Sequence, residues 1–232
     1  MQFHAPLIRG TLIKRYKRFM ADVTLEDGSV VTAHCANSGT MLSVNEPGTE
    51  VWLSPAQNPD RKLKYTWELI RIGDALVGIN TQHPNKIVAE AIEGGTVPEL
   101  AGYENLRREV KYGKNSRIDI LLEDAGKPDC FVEIKNVTMK RADVAEFPDA
   151  VTARGTKHLG ELADQVAEGH RAVMFYLVQR GDCDRFTLAD DIDPTYAEAL
   201  HKARKAGVEI LAYDCRVDTD GVAVSRPVEI AL

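Results

Sequence analysis

The sequence predicts an α/β (α+β) chain in two parts: a small barrel of short strands, then an α/β domain with a mixed central sheet. Three observations predict it. Residues 1 to about 83 are short β-rich runs separated by turn residues. The later residues alternate strand-like apolar runs with helical patterns, the mark of an α/β layer. Between them Asn80-Thr81-Gln82-His83-Pro84-Asn85 breaks the periodicity, so we divide the chain into residues 1–84 and 85–232. At 232 residues there is room for two modest domains.

The first part is read strand by strand. Leu7 to Ile13 is β-rich and Phe19 to Leu25 alternates apolar and polar residues. Glu26-Asp27-Gly28-Ser29 is a hairpin signal before Val30-Val31-Thr32-Ala33-His34. Turns at Asn37-Ser38-Gly39-Thr40 and Glu46-Pro47-Gly48-Thr49 precede Val51 to Ser54. Lys64 to Ile72 and Ala75 to Asn80 close the set. Five strands in so short a stretch predict an OB-like barrel, a fold that often binds oligonucleotides on one face.

Two clusters in this part interleave cations with aromatics: Lys14-Arg15-Tyr16-Lys17-Arg18-Phe19 and Arg61-Lys62-Leu63-Lys64-Tyr65-Thr66-Trp67. Neutralised phosphates plus stacked bases suit non-specific nucleic-acid binding. Lys14, Arg15, Lys17, Arg18, Arg61, Lys62 and Lys64 are the candidate contacts. A solvated turn with core aromatics gives the same string.

In the second part a turn at Pro84-Asn85 opens a helix over residues 86–93, ended by Gly94-Gly95. Leu106 to Val110 begins a strand or ends a short helix. Residues 116–122 and 130–136 are two apolar strands joined by a polar loop with Gly126 and Pro128. Gly126 is the midpoint between Asp119 and Glu133, so a symmetric hairpin sets these two acids opposite each other, with Cα atoms roughly 4.5–5.5 Å apart. Alternation puts Lys135 on the face of Glu133. Opposed like charges destabilise a sheet, so a cation or Lys135 must offset them. Two hard carboxylates suit Mg²⁺ or Mn²⁺. A surface hairpin with a cross-strand ion pair is the bland alternative. Glu109, just upstream, is a candidate third carboxylate.

Residues 140–146 are charged and unassigned. A loop at 147–152 leads through Arg154-Gly155-Thr156-Lys157-His158 into a helix whose apolar face is Leu159, Leu162, Ala163 and Val166. Basic groups at a helix start reinforce its pull on anions, which makes Arg154, Lys157 and His158 candidate phosphate contacts. Ala172 to Gln179 is a fully apolar strand, central in the sheet. Residues 182–191 read as an acidic loop, 194–206 as a helix, and 208–213 as a strand. One or two further strands end the chain.

Composition limits the function classes. A net charge of −6 with 28% charged residues argues for a soluble globular protein and against a strongly basic nucleic-acid binder, so local clusters must carry any phosphate binding. No apolar run reaches the ~20 residues of a membrane span, and the first ten residues have no cleavable signal pattern; a cytoplasmic location is expected. The four cysteines, 35, 130, 183 and 215, form no C-x-x-C pair and are read as reduced and structural.

The Asp119…Glu133-x-Lys135 arrangement resembles the core of the PD-(D/E)XK nuclease superfamily, with Ile118 where the nominal Pro stands. The order Lys14 to Phe19, His34-Cys35-Ala36-Asn37-Ser38-Gly39, Asn80-Thr81, Ser116 to Asp119, Glu133 to Thr138, Phe147 to Leu159 and Glu161-Leu162 resembles the sugar fermentation stimulation protein A family along essentially the whole chain. The resemblance implies an N-terminal OB-like domain, a PD-(D/E)XK-like C-terminal domain and DNA binding tied to sugar-utilisation genes. It implies that Asp119 and Glu133, with Glu109 as the upstream acid, bind the metal and that Lys135 is the catalytic lysine.

The expected function is therefore a sequence-non-specific DNA-binding protein with a Mg²⁺- or Mn²⁺-dependent phosphodiester-hydrolysing site; RNA is a further partner of the same chemistry. The rival is a DNA-binding regulator of sugar (maltose) metabolism genes that keeps the fold without turnover. No sugar-pocket signature and no helix-turn-helix are found.

Overall fold

In the computed structural model, which describes residues 1–113 and 116–232, the N-terminal strands are β1 (Ile8–Tyr16), β2 (Met20–Leu25), β3 (Val30–Cys35), β4 (Glu50–Pro55), β5 (Tyr65–Ile72) and β6 (Ala75–Gly78). They run in the order β3-β2-β1-β4-β5-β6, and a parallel β3–β5 pairing closes the first five into a barrel. Alternation fills it: Leu12, Ala21, Val23, Ala33 and Leu53 point inward around Trp67, whose indole N–H donates to Leu69 O at 2.9 Å. Gly10 is required where β1 crosses β2, since a Cβ there would lie 2.5 Å from Val23 Cγ1 and 2.7 Å from Thr24 O.

The rest of the chain runs α1 (Pro84–Glu93), a 3-10 turn (Pro98–Leu100), β7 (Asn105–Tyr112), β8 (Ser116–Glu123), β9 (Cys130–Val137), β10 (Lys140–Arg141), β11 (Val144–Phe147), α2 (Ala153–Ala167), β12 (Arg171–Val178), β13 (Arg185–Leu188), α3 (Pro194–Lys205), β14 (Glu209–Val217), β15 (Val222–Pro227) and β16 (Glu229–Ile230). The main sheet has the order β15-β14-β12-β9-β8-β7, with β9, β12 and β14 parallel and the outer pairs antiparallel. The apolar run of β12 follows from burial on both faces. Met174, Tyr176 and Val178 pack under α2 and α3. Val173, Phe175 and Leu177 pack with α1.

In a second, small sheet, β10-β11-β13-β16, the strands β10, β11 and β13 lie in stretches whose pattern predicts no strand (140–146 and 182–191), while β16 falls where a last strand is expected. Strands of two to four residues are too short to display a period. Trp52 and Leu69 of the barrel join the core beneath α1, and Gly78 N donates to Gln179 O at 2.8 Å. The two parts are thus packed together on apolar surface. All four cysteines are buried and unpaired. Among the described residues no helix is long and apolar enough to cross a membrane.

Candidate active site

The β8–β9 ladder pairs Leu122 with Cys130 through Ile120 with Val132 and then stops. The next position in register sets Asp119 against Glu133, and there the strands part. Asp119 Oδ2 accepts the Ile134 N–H at 2.7 Å, taking up a backbone donor the ladder has released. On the other side of β8, Glu109 lies opposite Asp119 with φ 56°, a left-handed backbone in mid-strand. Side-chain alternation breaks at the same place: Ile118 packs toward α2 while Ile120 packs toward α1. A local irregularity of this kind re-aims a side chain beside a functional site. Here it directs Asp119 toward Asn85 at the start of α1, whose Nδ2 donates to Asp119 Oδ1 at 2.9 Å and to Glu109 Oε1 at 2.6 Å.

Glu133 and Lys135 project toward α2, as their shared parity with Phe131 and Val137 requires. Lys135 Nζ donates to Glu133 Oε1 at 2.8 Å, and His158 Nδ1 hydrogen-bonds the same oxygen from α2. Arg154 Nε donates to His158 Nε2 at 3.4 Å. Arginine can only donate, so these partners assign the ring proton to Nδ1 and point it at Glu133. Glu133 Oε2 is buried with no hydrogen-bond partner among the described residues.

The two acids are set apart electrostatically. Burial, then the charge of Glu133, push the Asp119 carboxyl up to about 6. Burial also acts to raise Glu133, but the His158 hydrogen bond and the Lys135 ammonium outweigh it and hold Glu133 below the ordinary glutamate value. Tyr112 nearby is raised by burial and by the surrounding carboxylates.

Asp119, Glu133 and Lys135 lie in a cleft of about 400 Å³ between the two parts of the chain. One wall is the barrel loop Asn37–Gly39. Arg15 holds it, with Nη2 donating to Asn37 O at 2.9 Å and Gly39 O at 2.8 Å, and Asn37 Nδ2 donates to Ile79 O at 3.0 Å. The opposite wall is Glu146, Phe147 and Asp149. The walls meet where Thr40 Oγ1 donates to Asp149 O at 2.6 Å and Met41 N to Asp149 Oδ2 at 2.8 Å.

Asp119, Glu133, Lys135, Arg154 and His158 all line this cleft, and Glu109 joins it through Asn85. Three placements differ from the sequence reading. The helix begins at Ala153, capped by Thr152, so Lys157 and His158 lie a turn inside it and His158 is buried against Glu133. Lys157 Nζ reaches Ser116 Oγ at 3.0 Å and Glu161 at 3.4 Å. Arg15 faces its own loop.

The remaining barrel cations divide by environment. Lys17 and Arg18 form an exposed turn with left-handed φ values of 49° and 63°. Lys62 is exposed. Lys14 sits 3.8 Å from Asp22 and over the Tyr16 ring. Arg61 donates to Thr66 Oγ1 and Lys64 to Pro59 O. Phe19 is half exposed, whereas Trp67 is wholly in the barrel core. Asn85 is the site residue that sequence reasoning missed; its only signal was its place just after Pro84.

Family models match the chain in two segments, one described as the sugar fermentation stimulation protein RE domain over residues 82–221 and one as the SfsA N-terminal OB domain over residues 13–79. A sugar fermentation stimulation protein homolog of Paramagnetospirillum magneticum is 63% identical over 232 residues, covering 100% of this chain and 98% of its own. One from Rhodospirillum rubrum is 59% identical, covering 97% of each. The solved structure of Pyrococcus furiosus SfsA in complex with Ca²⁺ superposes with a TM-score of 0.89 at 26% identity, over 100% of this chain and 98% of the other.

Proposed function

The chain belongs to the sugar fermentation stimulation protein family, and on that premise we propose that it binds DNA without sequence preference and hydrolyses its phosphodiesters with a divalent cation, Mg²⁺ or Mn²⁺. The observation that carries this reading is Glu133 Oε2: a carboxylate oxygen, buried and without a hydrogen-bond partner among the described residues, near Asp119 in a cleft. A buried charged oxygen left unsatisfied is costly, and a cation removes that cost. Among the described residues no three His, Cys, Asp or Glu side chains form a ready cage. Two carboxylates with the remaining positions left to water and phosphate are what Mg²⁺ sites commonly use. The Pyrococcus furiosus relative was solved with Ca²⁺, another oxygen-seeking cation.

In this reading Asp119 and Glu133 hold the cation, and Glu109 acts through Asn85 on the outer side of Asp119. A cation held there would supply positive charge to polarise a phosphoryl oxygen. Lys135, recessed beside Glu133, orients the attacking water and stabilises charge building on the phosphate. His158 and Arg154 keep the Glu133 carboxylate in place. Lys17, Arg18 and Lys62, exposed on the barrel, contribute affinity that depends on backbone charge and not on sequence.

The test is incubation of purified protein with DNA in Mn²⁺, with Lys135→Ala as control. Cleavage by the wild type alone is expected. A wild type that binds DNA but cuts no form of it would leave the regulatory reading, compatible with relatives named for sugar fermentation stimulation.

A further inference from the structure

We propose that the cleft takes its phosphodiester from single-stranded DNA, and that a duplex is cut only where a strand has left its helix. This rests on the hydrolytic reading above and adds the form of the substrate.

The reacting groups are recessed. The Glu133 side chain is 4% exposed and that of Lys135 14%. The cleft above them, about 400 Å³, is at the lower end of the ~300–1,000 Å³ range of small-molecule pockets. A duplex holds each phosphate at a fixed distance from the opposite strand. Bringing one to the cleft floor would drive the rest of the helix into both walls. A lone strand has free backbone torsions and can lower one phosphate while its bases turn outward. Base-modifying enzymes with enclosed sites meet a comparable constraint and act on single strands or on extruded nucleotides.

The walls are also built not to part. They are tied through Thr40, Met41 and Asp149. At that seam Gly39 lies close against the Asp149 carboxylate: a Cβ would lie 2.8 Å from Asp149 Oδ2 and would push that side chain out of its bond to Met41. The barrel wall is braced from behind by Arg15 and by the Asn37 bond to Ile79. Beside the tie, Leu42 and Val151 are 45% and 76% exposed. Exposed apolar side chains close in sequence to the tie offer a surface for an unpaired base and a wedge against a terminal pair.

The experiment uses one labelled sequence in three forms with the full-length protein and Mn²⁺: single strand, blunt duplex, and duplex with an unpaired tail. Cuts are expected in the single strand and the tail. They should exceed internal cuts in the blunt duplex by at least ~tenfold, since unstacking and unpairing cost a few kcal/mol. The Thr40→Val, Asp149→Ala double variant, which removes both the Thr40 bond to the Asp149 carbonyl and the Met41 bond to its carboxylate, should narrow that ratio. Equal internal cutting of the blunt duplex, or an unchanged ratio in the double variant, overturns the inference while leaving the hydrolytic reading intact. If no form is cut, the hydrolytic reading fails, and substrate form is then read by photo-crosslinking of 4-thiothymidine strands without metal. Crosslinks to residues 37–41 and 147–154 from the single strand and not the duplex support the inference; equal crosslinks from both overturn it.

Discussion

His158 on α2 hydrogen-bonds Glu133 Oε1 on β9, and each side chain is only 4% exposed. The pair fixes the acid of the site that is held below its ordinary pKa, and it does so from a helix the sequence placed against phosphate. His158→Ala leaves Lys135 as the remaining donor to that oxygen. It should cost about 1–3 kcal/mol of stability, the usual penalty for a buried polar group losing its partner, and should lower cleavage by loosening Glu133. His158→Asn, whose amide can reach near the Nδ1 position, should recover part of both. Denaturant unfolding together with the cleavage rate checks this; full activity in the alanine variant would refute the positioning role.

Lys135→Ala should reduce cleavage by about 10²–10³-fold, the scale for removing one preorganised charge-stabilising donor. Glu133→Ala should abolish it. DNA affinity should stay close to wild type in both, because the proposed backbone contacts are on the barrel and are unchanged. Anisotropy titrations run beside cleavage assays separate the two effects.

The raised Asp119 carboxyl sets a pH dependence. With its value pushed up to about 6, the folded protein keeps Asp119 protonated below that pH, and a cation must displace the proton. Mn²⁺ affinity should therefore fall as pH drops through about 6, and calorimetric titrations on either side of that pH should show it. The same shift has the opposite sign for the metal-free fold: stability is greatest below the ordinary Asp range and declines as pH rises from there to about 6. Asp119→Asn should remove both trends.

Glu68, buried in β5, accepts from Ser54 Oγ at 2.6 Å, Asn80 Nδ2 at 2.8 Å and His83 Nε2 at 2.9 Å. It therefore fastens the connection between barrel and α1. Burial acts to raise its pKa, but the His83 hydrogen bond and charge, with Ser54 and Asn80, bring it below the ordinary value of 4.5. A depressed carboxylate stabilises the fold above its unfolded pKa and loses that contribution as pH falls through the folded one. Glu68→Gln should cost about 1–3 kcal/mol at neutral pH, and the gap from wild type should close below pH 4.5. Urea unfolding across that range measures it.

The barrel cations should not behave alike. Lys17→Ala, Arg18→Ala and Lys62→Ala should each weaken DNA binding and flatten its salt dependence by about one unit of slope. Arg15→Ala should instead lower stability and loosen residues 37–40, since its guanidinium is engaged with Asn37, Gly39 and Thr40 carbonyls. A salt titration of each variant distinguishes the two kinds.

Much of the architecture could be read from pattern. The apolar run at 172–178 identified a strand buried on both faces, and symmetry about Gly126 put Asp119 against Glu133. What could not be read depends on irregularity or on distant partners. A bulge between Leu12 and Lys14 re-aims the residues after it, and no alternation rule foretold that Arg15 would face its own loop. The inward turn of His158 depends on where α2 starts. Thr152 Oγ1 sets that by accepting from Gly155 N at 3.1 Å, one turn earlier than the sequence reading began the helix. Asn85 matters because α1 docks beside the left-handed backbone of Glu109. That is a tertiary event with no local signature.

The tie between Thr40 and Asp149 joins residues 109 positions apart. Chains made from the N-terminus fold domain by domain as they emerge, so the barrel can be complete while half of the cleft has yet to be synthesised. The substrate wall it carries then has nothing to lean against until residue 149 arrives and docks. In the proposed reading, a half-made or truncated chain brings the barrel cations to DNA without an enclosed site to act on it. The cleft is enclosed only once residue 149 has docked against residue 40.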